Sequence, residues 1–285
     1  MIGVIGGSGL YEVEGLDDAR WVAADTPWGP PSDALLHGTL DGTPMVFLPR
    51  HGRGHVHDPG SVPYRANVAA MKAAGVTHLV SVSAVGSFRE AMAPGDVVVV
   101  DQFVDRTRGR PASFFGPGLV AHVSLARPVC DALAGACAAA AREAGARVHE
   151  GGTYLAMEGP QFSTVAESRL YRAWGCDVIG MTNMPEARLA REAELHYACA
   201  AMVTDHDSWH PDHDAVSVED VLATLRGNVA RARAMIAALP GRLRAAGAAC
   251  ATGCARALDH AVMTAREARD PAMAARLAGV AGRVL

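Results

Sequence analysis

AAMVTDHDSWH, residues 200–210, decides how this chain is read. An apolar run from Tyr197 to Val203 stops at Thr204 and gives way to Asp205, His206 and Asp207. A continuous apolar stretch that ends in polar groups is the pattern of a parallel strand buried on both faces. In open α/β sheets ligands bind beyond the carboxyl ends of the strands, so this spacing predicts two carboxylates at a site. The competing reading of the segment is a metal loop or a solvated turn.

Working outward toward the carboxyl end, Ser217 is a candidate helix N-cap, and Glu219 and Asp220 suit the first turn. Val218, Val221, Leu222 and Leu225 fall at i, i+3, i+4 and i+7, one apolar stripe that serves as core or as a ligand-facing wall. Beyond Pro240 the chain is rich in Ala and Arg and predicts one or two helices without a catalytic pattern. Toward the amino end, Val178 and Ile179 lead into GMTNMPE, residues 180–186, and a strand over 152–157 leads into EGPQFS, residues 158–163. A helix is predicted over 164–174 and an Ala-rich one over 128–144, the latter stopped by Gly145. Strands are predicted over 97–100 and 77–82, the second ending in a small-residue loop, Ser83-Ala84-Val85-Gly86-Ser87.

Before that, a helix over 62–74 stops at Gly75, and Asp41-Gly42 joins 35–40 to 45–48 as a β-hairpin. The hairpin runs into Arg50-His51-Gly52-Arg53-Gly54-His55-Val56-His57, where an arginine after a strand is poised for bidentate anion contact. Zinc on His55, His57 and Asp58 is the alternative, but Pro59 stands where a common metallohydrolase pattern needs histidine. The first strand ends in Gly6-Gly7-Ser8-Gly9, which serves equally as a phosphate contact or a plain turn. A dinucleotide fingerprint needs glycine where Glu12 stands.

These alternating elements predict a three-layer αβα fold with a central mixed β-sheet. Its core spans residues 1–240, and 241–285 is a helical extension of the same domain. With 285 residues, half of them hydrophobic and 20% charged, a large buried core is available. The net charge of −4 and the lack of a basic stripe argue against nucleic acid as partner. Lys72 is the only lysine, so a P-loop is excluded and Schiff-base chemistry nearly so. No run reaches about 18 apolar residues and no basic leader precedes the first strand, so a cytoplasmic protein that does not engage a membrane is expected. Of six cysteines, Cys130, Cys137, Cys176 and Cys199 read as core, whereas Cys250 and Cys254 are spaced to share one helical face or, if the helix breaks, to pair.

Gathered at strand ends, Ser8, Arg50, Ser83 with its following amides, and Thr182 are all donors, which suits a tetrahedral oxyanion. Without a P-loop or an obvious metal cage they predict inorganic phosphate as a co-substrate, with no cofactor and no metal. Asp205 and Asp207 then serve the leaving group, one protonated to donate and one ionised to accept, because like charges that close raise one pKa.

The residues resemble the trimeric purine nucleoside phosphorylases, and within them the branch that acts on 5'-methylthioadenosine. The match carries GVIGGSGL, TPWGPPSDAL, RHGRGH, SVSAVGSFRE, PGDVVVVDQFVDRT, EGPQFSTVAES, DVIGMTNMPEA and TDHDSW, in order, over about five-sixths of the chain. The resemblance implies that Ser8, Arg50, His51, Ser83, Ala84 and Thr182 hold phosphate and that Met181 packs on the ribose. It implies that Phe162, Ser163, Asp205 and Asp207 hold the base and that His122 of a neighbouring subunit reaches the 5' side. It further implies a trimer, and the Cys250–Cys254 tail is similar to that of prokaryotic members that form hexamers.

Two features bear on substrate. Carboxylates accept from a 6-amino group, where a 6-oxopurine site typically offers asparagine, and an unpaired buried acceptor costs about 1–3 kcal/mol. The apolar turn Val218, Val221, Leu222 fits an alkylthio group, a gain of about 1 kcal/mol for one S-methyl. The expectation is therefore phosphorolysis of methylthioadenosine to adenine and 5-methylthioribose 1-phosphate, with Asp205 donating to N7. A phosphorylase for inosine or methylthioinosine is the nearest alternative. A metal-dependent hydrolase using Asp205, Asp207, His210, Asp212 and His213, or a non-catalytic nucleoside binder, is more remote.

Overall fold

The computed structural model describes residues 1–7, 9–210, 218–247 and 250–285, with the backbone alone for 218–223 and 225. In chain order the elements are β1 (Ile2–Gly6), β2 (Asp17–Val22), β3 (Leu35–Leu40), β4 (Thr43–Pro49), α1 (Tyr64–Ala73), β5 (His78–Ser87) and β6 (Val97–Val100). There follow β7 (Gln102–Asp105), α2 (Asp131–Glu143), β8 (Val148–Glu150), β9 (Thr153–Ala156), α3 (Val165–Ala173), β10 (Val178–Gly180) and α4 (Asn183–Glu192). The chain closes with β11 (His196–Asp205), α5 (Val218–Ala246) and α6 (Pro271–Ala281).

All strands join one mixed sheet in which β5 is the hub: it pairs parallel with β1 on one side and with β11 on the other, then antiparallel with β10 at its end. Helices cover both faces, as the three-layer reading predicts. The apolar run of β11 explains why. Tyr197, Cys199, Ala201 and Val203 enter the core beneath α1, α4 and α6, while Ala198, Ala200 and Met202 enter the core beneath α2 and α5. A strand whose alternate residues both meet helices must be apolar throughout. β6 repeats the pattern, with Val98 and Val100 on one side and Val97 and Val99 on the other.

The hairpin joins β3 to β4 with Asp41 and Gly42 both at positive φ, 48° and 67°, as a two-residue primed turn requires. Thr164 caps α3 through a reciprocal capping box with Glu167, so that helix starts where its sequence says.

Three expectations change. The segment Ser83–Ser87 is strand rather than loop, because β11 pairs along it as far as Gly86 and β10 takes over the opposite edge at Gly86 and Ser87. Cys250 and Cys254 do not share a helical face: α5 ends at Ala246, and a short 3-10 turn opens at Cys254. Strands β2, β7 and β8 carry no sequence signal, since β2 is exposed along its length and β8 has only three residues. Residue 240 lies inside α5. Cys130, Cys137, Cys176 and Cys199 are buried, as expected, and none of the six cysteines forms a disulfide.

Candidate active site

The cavity opens where strand pairing lapses. On the edge facing β1, β5 is paired only as far as Ser81, and β10 does not begin to pair until Gly86. The interval from Val82 to Val85 therefore has no strand partner on that edge, at the carboxyl ends of parallel strands, the place an α/β sheet offers to ligands. A cavity of about 440 Å³ occupies this gap, lined by Arg50, His51, Ser83, Ala84, Phe162, Met181, Thr182, Asp205 and Asp207 among others. Nine of the residues singled out in the sequence thus converge.

The rest divide. Ser163 is not among the lining residues; its hydroxyl is directed at the Met157 sulfur, within reach of the Asp207 carboxyl, and its carbonyl accepts from the Ser208 hydroxyl at 3.0 Å. His122 is exposed and outside its own chain's cavity. Ser8 and the side chains of Val218, Val221 and Leu222 lie outside the described residues.

At the polar end, the Ser83 hydroxyl lies 3.2 Å from both Thr182 Oγ1 and the Tyr154 hydroxyl. Tyr154 reaches this position only because residue 180 is glycine; a Cβ there would sit 1.9 Å from the phenol oxygen. Arg50 is 2% exposed and spends most of its donors on the protein. Its Nε bonds Glu186 at 3.1 Å, Nη2 bonds Ser81 Oγ at 2.6 Å and the Ile5 carbonyl at 3.2 Å, and Nη1 bonds the Val82 carbonyl at 3.0 Å. Of its five N–H groups, one on Nη1 has no acceptor among the described residues and remains for an anion. Burial disfavours the Arg50 charge, but the Glu186 carboxylate more than offsets it and keeps the guanidinium protonated. Glu186 is itself fixed by the Tyr197 hydroxyl at 3.0 Å.

His51 Nδ1 donates to the His57 carbonyl at 2.9 Å, which leaves Nε2 as an acceptor. Burial, with the Arg50 charge beside it, lowers this imidazole to about 4, so at neutral pH it is uncharged. A neutral acceptor of this kind suits the hydroxyl of a protonated phosphate rather than a dianion's oxygen.

At the other end lie the carboxylates. Asp205 closes β11, with Oδ2 accepting from Thr204 Oγ1 at 2.7 Å and Oδ1 from the Asp207 amide at 2.8 Å. Both of its oxygens are thus supplied with donors. Asp207 differs. It is 6% exposed, and neither its Oδ2 nor the nearby Ser168 hydroxyl has a hydrogen-bond partner among the described residues. Burial, reinforced by the Asp205 charge and only partly opposed by nearby hydroxyls, raises its carboxyl to about 6. Gly86 lets both acids approach the sheet, since a Cβ there would lie 2.8 Å from Asp205 Oδ1.

Sequence reading missed the supports of this arrangement: Glu186, Tyr154 and Tyr197, and also Arg110. Arg110 donates to Glu158 Oε1 at 3.0 Å, to the Met181 carbonyl at 2.7 Å and to the Tyr64 hydroxyl at 3.0 Å, tying the ends of β9 and β10 together. Its loop is plainly rich in Gly, Pro and Arg, but nothing local says which arginine turns inward.

The metal readings find no support in the geometry. Neither Asp205 and Asp207 with His210, nor His55 and His57 with Asp58, brings three ligand atoms together among the described residues. Asp212 and His213 lie outside those residues.

Known proteins resemble the chain closely. It is 65% identical to an S-methyl-5'-thioadenosine phosphorylase of Cereibacter sphaeroides, over 100% of this chain and 98% of that one. Identity is 56% to the enzyme of the same name from Rhodospirillum rubrum, over 100% and 97%. A methylthioadenosine phosphorylase structure from an antarctic soil metagenomic library superposes with a TM-score of 0.92 at 45% identity, covering 98% of each chain. The Schistosoma mansoni methylthioadenosine phosphorylase in complex with adenine gives 0.81 at 37% identity, over 86% and 91%. The phosphorylase superfamily model matches residues 1–239, which include every residue of the cavity, and the chain belongs to that superfamily.

Proposed function

We propose that the protein cleaves 5'-methylthioadenosine with inorganic phosphate, releasing adenine and 5-methylthioribose 1-phosphate. The observation that carries this reading is a single cavity with two carboxylates of unlike environment at one end and hydroxyl and guanidinium donors at the other. The names of the full-length relatives point the same way.

In this reading phosphate is held by Ser83, Thr182, the spare Arg50 N–H and the backbone at Ala84, with Ser8 completing the cradle and His51 accepting from a phosphate hydroxyl. Met181 packs on the ribose and Phe162 on the base. The C1'–N9 bond lengthens toward an oxocarbenium-like state, and the adjacent phosphate charge stabilises it. The carboxyl pair brings one proton to the leaving adenine. N7 receives it, the ionised partner accepts from the 6-amino group, and a phosphate oxygen forms the new bond to C1'. The sequence assigns the donor to Asp205; Asp207, whose carboxyl is raised to about 6, is the member of the pair that takes up a proton more readily than an ordinary aspartate, so the pair shares the task. No cofactor or metal enters this reaction.

We also propose a cytoplasmic homo-oligomer, trimeric or hexameric, in which the exposed His122 serves a neighbouring subunit's site. Among the described residues no helix is long and apolar enough to cross a membrane. The test is release of the free base (adenine, or hypoxanthine from inosine) from methylthioadenosine, adenosine and inosine, each with and without phosphate and with chelator. Phosphate-dependent, chelator-resistant release that favours methylthioadenosine is expected. Release without phosphate would mean a hydrolase, and preference for inosine a 6-oxopurine enzyme.

A further inference from the structure

At the amino end of β11, far from the cavity, four soft donors converge. Cys130 precedes α2, His196 begins β11, and Cys250 and Cys254 come from the tail; one ligand atom from each lies within 4.8 Å of all the others. Cys130 Sγ stands 3.3 Å from His196 Nδ1 and 3.6 Å from Cys250 Sγ. These separations are far beyond a disulfide bond of about 2.05 Å. They sit within a few tenths of an ångström of the edges of a tetrahedron around zinc, about 3.8 Å between sulfurs and about 3.5 Å from sulfur to nitrogen.

From this geometry we infer that Cys130, His196, Cys250 and Cys254 form a structural zinc site. The donor set is the Cys₃His combination that closed structural zinc sites use, and the Cys250-x₃-Cys254 spacing falls within their usual range. The turn between the two cysteines is preformed: Gly253 adopts φ 65° and its amide donates to the Cys250 carbonyl at 3.2 Å.

The surroundings match. Three thiolates and a divalent ion carry one net negative charge, and the buried Arg191 donates from Nη1 to Cys254 Sγ at 3.4 Å and from Nη2 to the Thr252 carbonyl at 3.2 Å. Thr252 Oγ1 donates to Asp131 Oδ1 at 2.8 Å, which pins the knuckle to the start of α2. The His196 ring is stacked on His78, centroids 4.4 Å apart, which fixes the orientation of Nδ1. Such an ion fastens the tail, which leaves the sheet region after α5, back onto the central strand. It takes no part in the reaction proposed above, and the site stands independently of that reading.

The test is elemental analysis of the full chain, purified untagged under reducing conditions from zinc-supplemented cells and dialysed against metal-free buffer. About one zinc per chain is expected, falling about tenfold or more in Cys250→Ser and in Cys254→Ser but kept in Cys137→Ser, a buried cysteine of α2 outside the cluster. Should the serine variants fail to fold, cobalt exchanged into the wild-type chain still decides, through the visible bands of a tetrahedral thiolate site. Wild-type protein that takes up neither zinc nor cobalt while its thiols stay reduced overturns the proposal. So does a Cys130–Cys250 disulfide in the protein as isolated.

Discussion

The two ends of β11 teach opposite lessons. At its carboxyl end Asp205 faces an open cavity, with both oxygens of Asp205 hydrogen-bonded and Asp207 Oδ2 without a partner among the described residues. At its amino end, about 30 Å away for ten extended residues, His196 enters a cluster packed shut by cysteines and an arginine. Between them seven apolar residues bury both faces of the strand, so polar chemistry has room only where the ladder stops. One end keeps an unsatisfied group for a ligand, and the other closes its donors on each other.

If the carboxyl end is the reactive one, Asp205→Asn should cost the most. A loss of about 10²- to 10⁴-fold in kcat/KM for methylthioadenosine is expected, with zinc content unchanged. Full turnover in that variant would remove the acid from the leaving-group role and erase the contrast between the ends.

Arg50 sharpens the comparison, because it lies at the reactive end yet is mostly structural. Arg50→Met strands the Glu186 carboxylate, which is 1% exposed, and should lower stability by about 3–5 kcal/mol in urea unfolding. A variant with normal stability but weak phosphate binding would instead make Arg50 a ligand group only.

The smallest effect concerns Asp207. Its folded carboxyl is raised to about 6 from an unfolded value near 3.8, so the folded chain keeps a proton that the unfolded chain sheds. Stability from this group is therefore present below about pH 4 and lost as pH climbs through about 6, by up to about 3 kcal/mol. Asp207→Asn cannot ionise, so its stability relative to wild type should rise across that window. Urea midpoints at pH 4 and pH 8 measure it; an offset that does not change with pH would mean the carboxyl is not raised.

Much of the reactive end was legible because its signals are local. The apolar run of β11 announces burial, Asp205 and Asp207 follow it directly, and small or hydroxyl residues mark β5 and the end of β10. The reading erred at Ser83–Ser87, where small residues suggested a loop. There β11 and β10 supply hydrogen bonds that no local pattern encodes. In the tail neither alternative holds: Cys250 and Cys254 share no helical face and form no disulfide, because Gly253 turns the chain and Cys254 is drawn to Arg191.

By itself, then, the sequence determined the fold class, the strand ends and the residue types offered there, because period and punctuation act over a few neighbouring residues. Only the tertiary structure decided which acid is the more deeply desolvated, that Glu186 neutralises Arg50 from 136 positions away, and that Cys250 meets Cys130 across 120. Those outcomes depend on burial and on contacts between distant segments, and both exist only once the sheet has brought its strands together.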